Sequence, residues 1–491
     1  MQNKTINNEI DKGLNLFSTA RYKEAIFHFE KLKDQTNHFL IYWYLGHSYY
    51  KIYNSLEAIR CIKESIKIKS EDSLNLLFLG ELYLSLNKYT LAIEIFNKVI
   101  EIDPKNESAL IDMARTYAHL GDFEKSNVYY KLLITYYPFN FEAHYEYNKI
   151  KKDHISNNLL NNIKLEIKTK NVSFENKIFG KIIIAESEKL KKSYESEIKY
   201  LLDSHLTYIE KKKVAATQEW NYLTNLLPQF MEMVRISKLK NLQKNSALRP
   251  IFIMGPPRSG TTLVENIIVS GKNKLNLGGE VESFGKTFFS ENIIPDYNSK
   301  KLIANLDKAE MDRIYDGVIY QYEQLGLIDK QKNNLFTDKS LENFLYIDLI
   351  KKIFPNAKFV FCYRNPVANV VSIIKNFLPN IFWAHSLDKI LKYLNIYYQF
   401  LQKNNLNKDY YIIKLEELTE NPIDESKKLF NFLDLDWSIE CINLRNNKGN
   451  IIKTMSNIQL RDDLKKHDLS YLKNYINIFN DVTKKYDWFK Y

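Results

Sequence analysis

The sequence predicts a two-part fold, an all-α solenoid in the N-terminal third followed by an α/β domain built on a parallel sheet. Two observations carry this. Residues 5–140 repeat a small–small–apolar pattern at steps of 33 and 34 residues. Residues 251–262 then read Ile-Phe-Ile-Met-Gly-Pro-Pro-Arg-Ser-Gly-Thr-Thr, a buried-strand run that enters a glycine turn and a helix start.

The repeat is visible in Gly13…Ala25…Phe29, Gly46…Ala58…Ile62, Gly80…Ala92…Phe96 and Ala114…Ser126…Tyr130. Tyr49, Tyr83 and Tyr117 recur three residues after the first small residue, and Pro104 and Pro138 recur 24 after it. Small residues let paired helices approach closely, a large apolar residue fills the gap, and proline ends the second helix. The pattern resembles the tetratricopeptide repeat (TPR), whose period is about 34 residues. It predicts four repeats over 5–140. The resemblance implies a groove for a peptide or protein partner. A scaffold that orders the next domain, or a dimerisation arm, fits the pattern equally.

Residues 141–247 stay helical in pattern but lose the signature. Gly180 to Ala185 and Tyr194 to Leu202 read as one further degenerate helix pair. Trp220, Leu223, Leu226 and Leu227 read as an apolar cap against the following domain, and Arg249-Pro250 as its boundary.

From residue 248 to 491 strands and helices alternate. Strands are expected at 250–254, 334–337, 358–363 and 409–414, and helices at 261–270, 341–353, 366–377, 387–404 and 424–433. Alternation of this kind predicts a parallel sheet covered by helices, with ligands beyond the carboxyl ends of the strands. Gly255 to Gly260 has the spacing of a P-loop, whose backbone N–H groups and helix dipole face an anion. The lysine such loops carry is missing. Thr261 stands there, and the cation is Arg258 inside the loop.

Pro257-Arg258-Ser259-Gly260-Thr261-Thr262-Leu263 resembles the 5′-phosphosulfate loop of sulfotransferases that use 3′-phosphoadenosine 5′-phosphosulfate (PAPS). Lys358-Phe-Val-Phe-Cys-Tyr-Arg364-Asn-Pro366, with Ser372 eight residues after the arginine, is similar to the family's 3′-phosphate motif. The resemblance covers residues 248–491, is nearest in motifs to the tyrosylprotein sulfotransferases, and makes the whole chain look like a TPR sulfotransferase with a P-loop-like catalytic domain. It implies that Arg258, Ser259, Gly260, Thr261 and Thr262 hold the 5′ end of PAPS and that Arg364 and Ser372 hold the 3′-phosphate. It implies a catalytic Lys339, which lies 16 residues before Pro355 as in the tyrosylprotein enzymes; an ion pair with Asp338 or a neighbour is the alternative role. It implies Glu280, in Leu277-Gly278-Gly279-Glu280, as the base that takes the acceptor proton, with Glu282 and His385 as the other candidates. Ser456 and Arg461, in the stretch resembling the segment that closes over the nucleotide, are further expected contacts. Two departures stand out. Leu415 precedes Glu416 where the family usually has tyrosine, and 271–277 lacks the usual His-Pro.

The formal net charge is +11, with 45% hydrophobic and 26% charged residues. Lysine is spread along the chain and no arginine-rich arm occurs, so no nucleic-acid partner is expected. Cys61, Cys362 and Cys441 are odd in number and lack metal spacing, which predicts a reducing compartment and no metal site. Neither an apolar signal core nor a run of ~18 apolar residues is present, and a cytoplasmic protein without a membrane span is expected. The expected reaction moves a sulfuryl group from PAPS, leaving PAP (3′-phosphoadenosine 5′-phosphate), to a hydroxyl of a carbohydrate, peptide or small molecule. A P-loop kinase and a catalytically inactive TPR adaptor are the competing readings. A homodimer is compatible with both halves of the resemblance.

Overall fold

The computed structural model describes residues 2–70, 72–151, 155–237, 239, 242, 248–294, 306–328, 334–404, 408–443, 466–479 and 485–488. The expected contacts Ser456 and Arg461 lie outside the described residues.

Eight antiparallel helices form the array: α1 (Gln2–Ser18), α2 (Tyr22–Lys33), α3 (Phe39–Lys51), α4 (Ser55–Ile68), α5 (Ser73–Ser85), α6 (Tyr89–Ile102), α7 (Glu107–Leu120) and α8 (Phe123–Tyr136). The repeat pattern has the expected steric cause. A Cβ added to Gly80 would sit 2.3 Å from the Phe96 ring of the paired helix. In the fourth repeat Ser126 takes the second small position, and its hydroxyl donates to the Ala114 carbonyl at 2.8 Å. Asn and Asp caps open several of these helices, as Asn106 accepting from Ala109 N and Asp122 from Lys125 N.

The extension comprises α9 (Phe141–Ile150), α10 (Asn157–Glu166), α11 (Phe174–Leu190), α12 (Tyr194–Lys211), α13 (Lys213–Asn221) and, after a π turn, α14 (Leu227–Ile236). The degenerate pair foreseen at 180–202 is α11 with α12, each a full helix. One hydrophobic core continues from Tyr145 and Phe179 through Leu226 and Phe230 to Phe252, Phe284 and Phe361 of the next domain. Phe230 packs edge-on against Phe288 at 4.8 Å, and the Tyr222 and Tyr346 hydroxyls share a hydrogen bond. The extension is therefore fused to the domain that follows, because neither could withdraw without exposing this shared apolar surface.

That domain holds a four-stranded sheet of β1 (Arg249–Met254), β2 (Leu335–Asp338), β3 (Lys358–Tyr363) and β4 (Tyr410–Lys414), in the order β2-β1-β3-β4, all parallel. The chain goes from β1 to one side and then returns to the other, so the crevice beyond β1 and β3 is the switch point where such sheets bind ligands. Covering helices include α15 (Thr261–Val269), α16 (Ser283–Ser290), α17 (Lys308–Gln324), α18 (Ile347–Ile353), α19 (Pro366–Lys375), α20 (Leu387–Asn404), α21 (Leu415–Glu420) and α22 (Pro422–Leu433). The helix expected over 341–353 is instead a 3-10 segment, Leu341–Tyr346, followed by α18. The buried Asp338 carboxylate causes the tight start: its Oδ1 accepts from Ser340 N, Ser340 Oγ and Asn343 Nδ2 at 2.6–2.9 Å.

The array meets this domain a second time. Gln324 Oε1 at the end of α17 accepts from Ser55 N at 2.9 Å, and the Tyr320 hydroxyl donates to Asn54 Oδ1 at 2.6 Å. Between the two attachments lies a cleft of about 790 Å³. No helix among the described residues is long and apolar enough to cross a membrane.

Candidate active site

The loop after β1 and the start of α15 form one floor of the cleft, with Pro257, Arg258, Thr261 and Thr262 on its surface. Two residues of this turn take left-handed backbone angles, Arg258 at φ +67° and Gly260 at φ +96°. The glycine does so without strain, whereas Arg258 is a local outlier held by its surroundings. The Arg258 carbonyl accepts from Arg364 Nη1 at 2.7 Å, and the Pro257 carbonyl from Asn369 Nδ2 at 2.8 Å. The loop is thus fastened to the end of β3 and to α19.

These contacts bring the two sequence motifs together. Arg258 Nε lies 3.4 Å from Ser372 Oγ, and Arg364 is tied to the carbonyl of Arg258. Burial, with the Arg364 charge adding to it, pulls Arg258 down to about 10. Burial also lowers Arg364, which is 7% exposed. Its Nη2 meets His467 Nε2 at 2.9 Å, while its Nε is buried without a partner among the described residues, as is the Ser259 hydroxyl. A buried cluster of cations and unmet donors at a helix start is the donor set a phosphate or sulfate group requires, so these residues fit PAPS.

A second element faces the same cleft. Lys339, at the end of β2 and 1% exposed, donates to Glu280 Oε1 at 2.7 Å. Burial opposes its charge, but Glu280 and Glu265 outweigh that, and its pKa is raised. Lys339 does not pair with Asp338, whose oxygens are filled by Ser340, Asn343, Ser283 and Tyr322. Glu280 is 40% exposed on its side chain and lines the cleft. Gly278 presents it by close approach, since a Cβ there would lie 1.9 Å from the Thr337 carbonyl oxygen. Glu282 also lines the cleft, at φ +56° ahead of α16. His385 does not. It is 4% exposed, one ring nitrogen on His205 Nδ1 at 2.8 Å and the other on the Leu378 carbonyl at 2.9 Å, and burial holds it down to about 3.

Several residues at this site had no motif to reveal them. The wholly buried Glu265 of α15 accepts from Gly279 N at 2.9 Å and Thr337 Oγ1 at 2.7 Å, tying the loop helix to the turn that carries Glu280. Its signal was a lone carboxylate in the apolar run Leu263-Val264-Glu265-Asn266-Ile267. His467 and Tyr471, both in the field of Arg364, carry no such signal, and neither does Tyr145 of α9, which faces the cleft from the array side. At the other departure, Leu415 packs beside Gly260 and Glu416 accepts from Asn365 N at 2.9 Å. No cluster of potential metal ligands occurs among the described residues.

Comparison with known proteins agrees with this geometry. Residues 250–438 match the model of the sulfotransferase family, and 75–106 and 108–140 match tetratricopeptide repeats. The chain carries a sulfotransferase-family domain behind TPR repeats. The domain match spans the loop after β1, Lys339 and Arg364. An uncharacterized protein of Aquifex aeolicus is 25% identical over 246 residues, 46% of this chain and 31% of that protein. The chain thus spans about a third of that relative's length. Similar solved structures include MamA of Desulfovibrio magneticus (15% identity, TM-score 0.28, 30% of this chain and 86% of that one). YrrB, a TPR protein with an unusual peptide-binding site, is 15% identical (TM-score 0.28, 31% and 81%). A tetratricopeptide repeat protein of Parabacteroides merdae is 14% identical (TM-score 0.32, 42% and 78%).

Proposed function

We propose that the protein transfers the sulfuryl group of PAPS to a hydroxyl acceptor bound between the sulfotransferase domain and the helical array. The observation that carries this reading is the convergence of Arg258, Ser372 and Arg364 across the β1–β3 switch point, with the Lys339–Glu280 pair facing the same cleft.

PAPS brings the sulfuryl group and a leaving 5′-phosphate. Arg258, the N–H groups from Ser259 to Thr262 and the start of α15 hold that phosphate, while Arg364 and Ser372 hold the 3′-phosphate. The acceptor oxygen attacks sulfur as the bond from sulfur to the 5′-phosphate oxygen breaks, and the acceptor proton passes to Glu280. Protonation of Glu280 neutralises the partner of Lys339. The lysine charge then serves the oxygen of the departing PAP, where negative charge grows, together with Arg258. Glu265 and Gly278 position the base, and Glu282 is the remaining alternative to Glu280. His385 is disfavoured as base by its engaged ring and depressed pKa. The repeats support a peptide or protein partner for the array.

Calorimetry with PAP, and with ATP and Mg²⁺, tests the reading. Micromolar PAP binding in EDTA, followed by label transfer from [³⁵S]PAPS, is expected. Preference for Mg·ATP over PAP would instead return the chain to the kinase class.

A further inference from the structure

The cleft is charged unequally. Its lining includes Arg258, with Arg364 behind it, and the carboxylates Glu219, Glu282 and Glu342, while Lys286 near Glu282 donates to the Val281 carbonyl. This contrasts with a chain whose net charge is +11. Glu342, from the 3-10 segment Leu341–Tyr346, accepts no hydrogen bond from the described residues, and the charged groups acting on it are both carboxylates, Glu219 and Glu282. Burial and that repulsion push Glu342 up to about 8. Glu219, from α13, accepts from Phe382 N and Trp383 N at 3.1 and 2.8 Å, which fixes its carboxylate at the cleft. Burial lifts it to about 7, with only Lys389 opposing among charged side chains. The other array-side carboxylates are matched by cations, Glu142 by Arg115 and Glu146 by Lys149.

An independent feature marks the same cavity as a ligand site. Tyr145 of α9 is 5% exposed and lines the cleft, and its hydroxyl makes no hydrogen bond with the described residues. It lies within the field of Arg258, on the path between the nucleotide loop and the array. The hydroxyl itself opens onto the cleft, where a ligand's polar group can meet it. Phe179, Phe289, Phe377 and Phe382 provide apolar faces along the same walls.

We propose that the acceptor is a hydroxyl compound that also carries a cation, an ammonium or guanidinium, seated against Glu219 and Glu342 while its hydroxyl faces Glu280 and Tyr145. This deepens the sulfotransferase reading and rests on it. A cation there favours the ionised forms of Glu219 and Glu342, and the aromatic walls favour it further. The helical extension thereby supplies one wall of the acceptor site.

The test uses the full-length protein loaded with PAP and two matched pairs of probes, tyramine against N-acetyltyramine and chitobiose with free amines against its N,N′-diacetyl form. Binding is read by calorimetry at low salt. In at least one pair the ammonium member is expected to bind at least about tenfold more tightly, and Glu342→Gln to cut that ratio to about threefold or less. Which pair discriminates tells an aryl amine from an amino sugar. Glu342→Gln keeps the shape of the protonated side chain, so folding is retained, and PAP titration of the variant checks this. Ratios near one in both pairs, or a preference that survives Glu342→Gln, overturn the inference. Failure of PAP itself to bind would sink the sulfotransferase reading instead, and the PAP titration reads that separately.

Discussion

Replacing Arg364 by alanine tests its proposed 3′-phosphate contact separately from the rest of the nucleotide. Its Nε is buried without a partner, and its Nη2 rests on His467, which burial and the Arg364 charge itself hold down to about 4. His467 is therefore neutral at pH 7, a weak competitor that a phosphate displaces easily. A hydrogen bond to a charged group contributes ~1.5–3 kcal/mol net. With two donors offered and the His467 contact given up, the loss should be ~2–3 kcal/mol, or roughly 30- to 150-fold in PAP affinity. The third donor, Nη1, holds the Arg258 carbonyl, so the variant also loosens the 5′ loop. That contact acts on the 5′-phosphate only through the loop backbone, so its share of the binding loss should be ~1 kcal/mol, or about fivefold. Calorimetry with PAP and with adenosine 5′-monophosphate distinguishes the two effects. PAP should lose the full factor and the monophosphate no more than about fivefold. Arg364→Lys should recover only part of the loss, because the fork is gone. Equal losses for both ligands would refute the assignment and make Arg364 a structural tie of the loop.

Two further predictions follow from the cleft. Glu280→Gln and Lys339→Met should each lower kcat by ~10²–10⁴-fold with PAP affinity held within a few-fold; near-normal turnover in either would remove that residue from the chemistry. Glu342 should make stability fall with rising pH. Its folded pKa of about 8 lies above the ordinary 4.5, so in that window the folded state keeps a proton the unfolded chain has released. The stabilising contribution is present below pH 4.5 and lost as pH rises through 8, at ~1.4 kcal/mol for each pH step of one across that window. Thermal melts from pH 5 to 9 should show wild type falling relative to Glu342→Gln, and parallel curves would contradict the raised pKa.

The array and the glycine loop after β1 were legible because both are local properties of the chain. Gly80 and Phe96 meet across adjacent helices 16 residues apart, and a strand, a glycine turn and a helix start suffice to aim backbone donors at an anion. Arg364 and Ser372 were legible for the same reason, since both lie on one strand–helix unit. The partner of Lys339 was not. Asp338 is adjacent in sequence and Glu280 lies 59 residues away, yet strand geometry turns Asp338 toward Ser340 and Tyr322 and leaves the lysine to Glu280. His385 likewise lost its candidacy only when α12 brought His205 against it.

By itself, then, the sequence determined the repeat architecture, the parallel α/β domain and the glycine turn between β1 and α15, because each is written in contacts or periodicities a few tens of residues long. Tertiary structure alone decided that residues 141–236 share the core of the sulfotransferase domain, that Glu265 braces the turn carrying Glu280, and that Tyr145, Glu219 and Glu342 line one cleft. Those outcomes depend on which face of each helix docks against a distant partner, and that choice is made by burial summed over the whole assembled core.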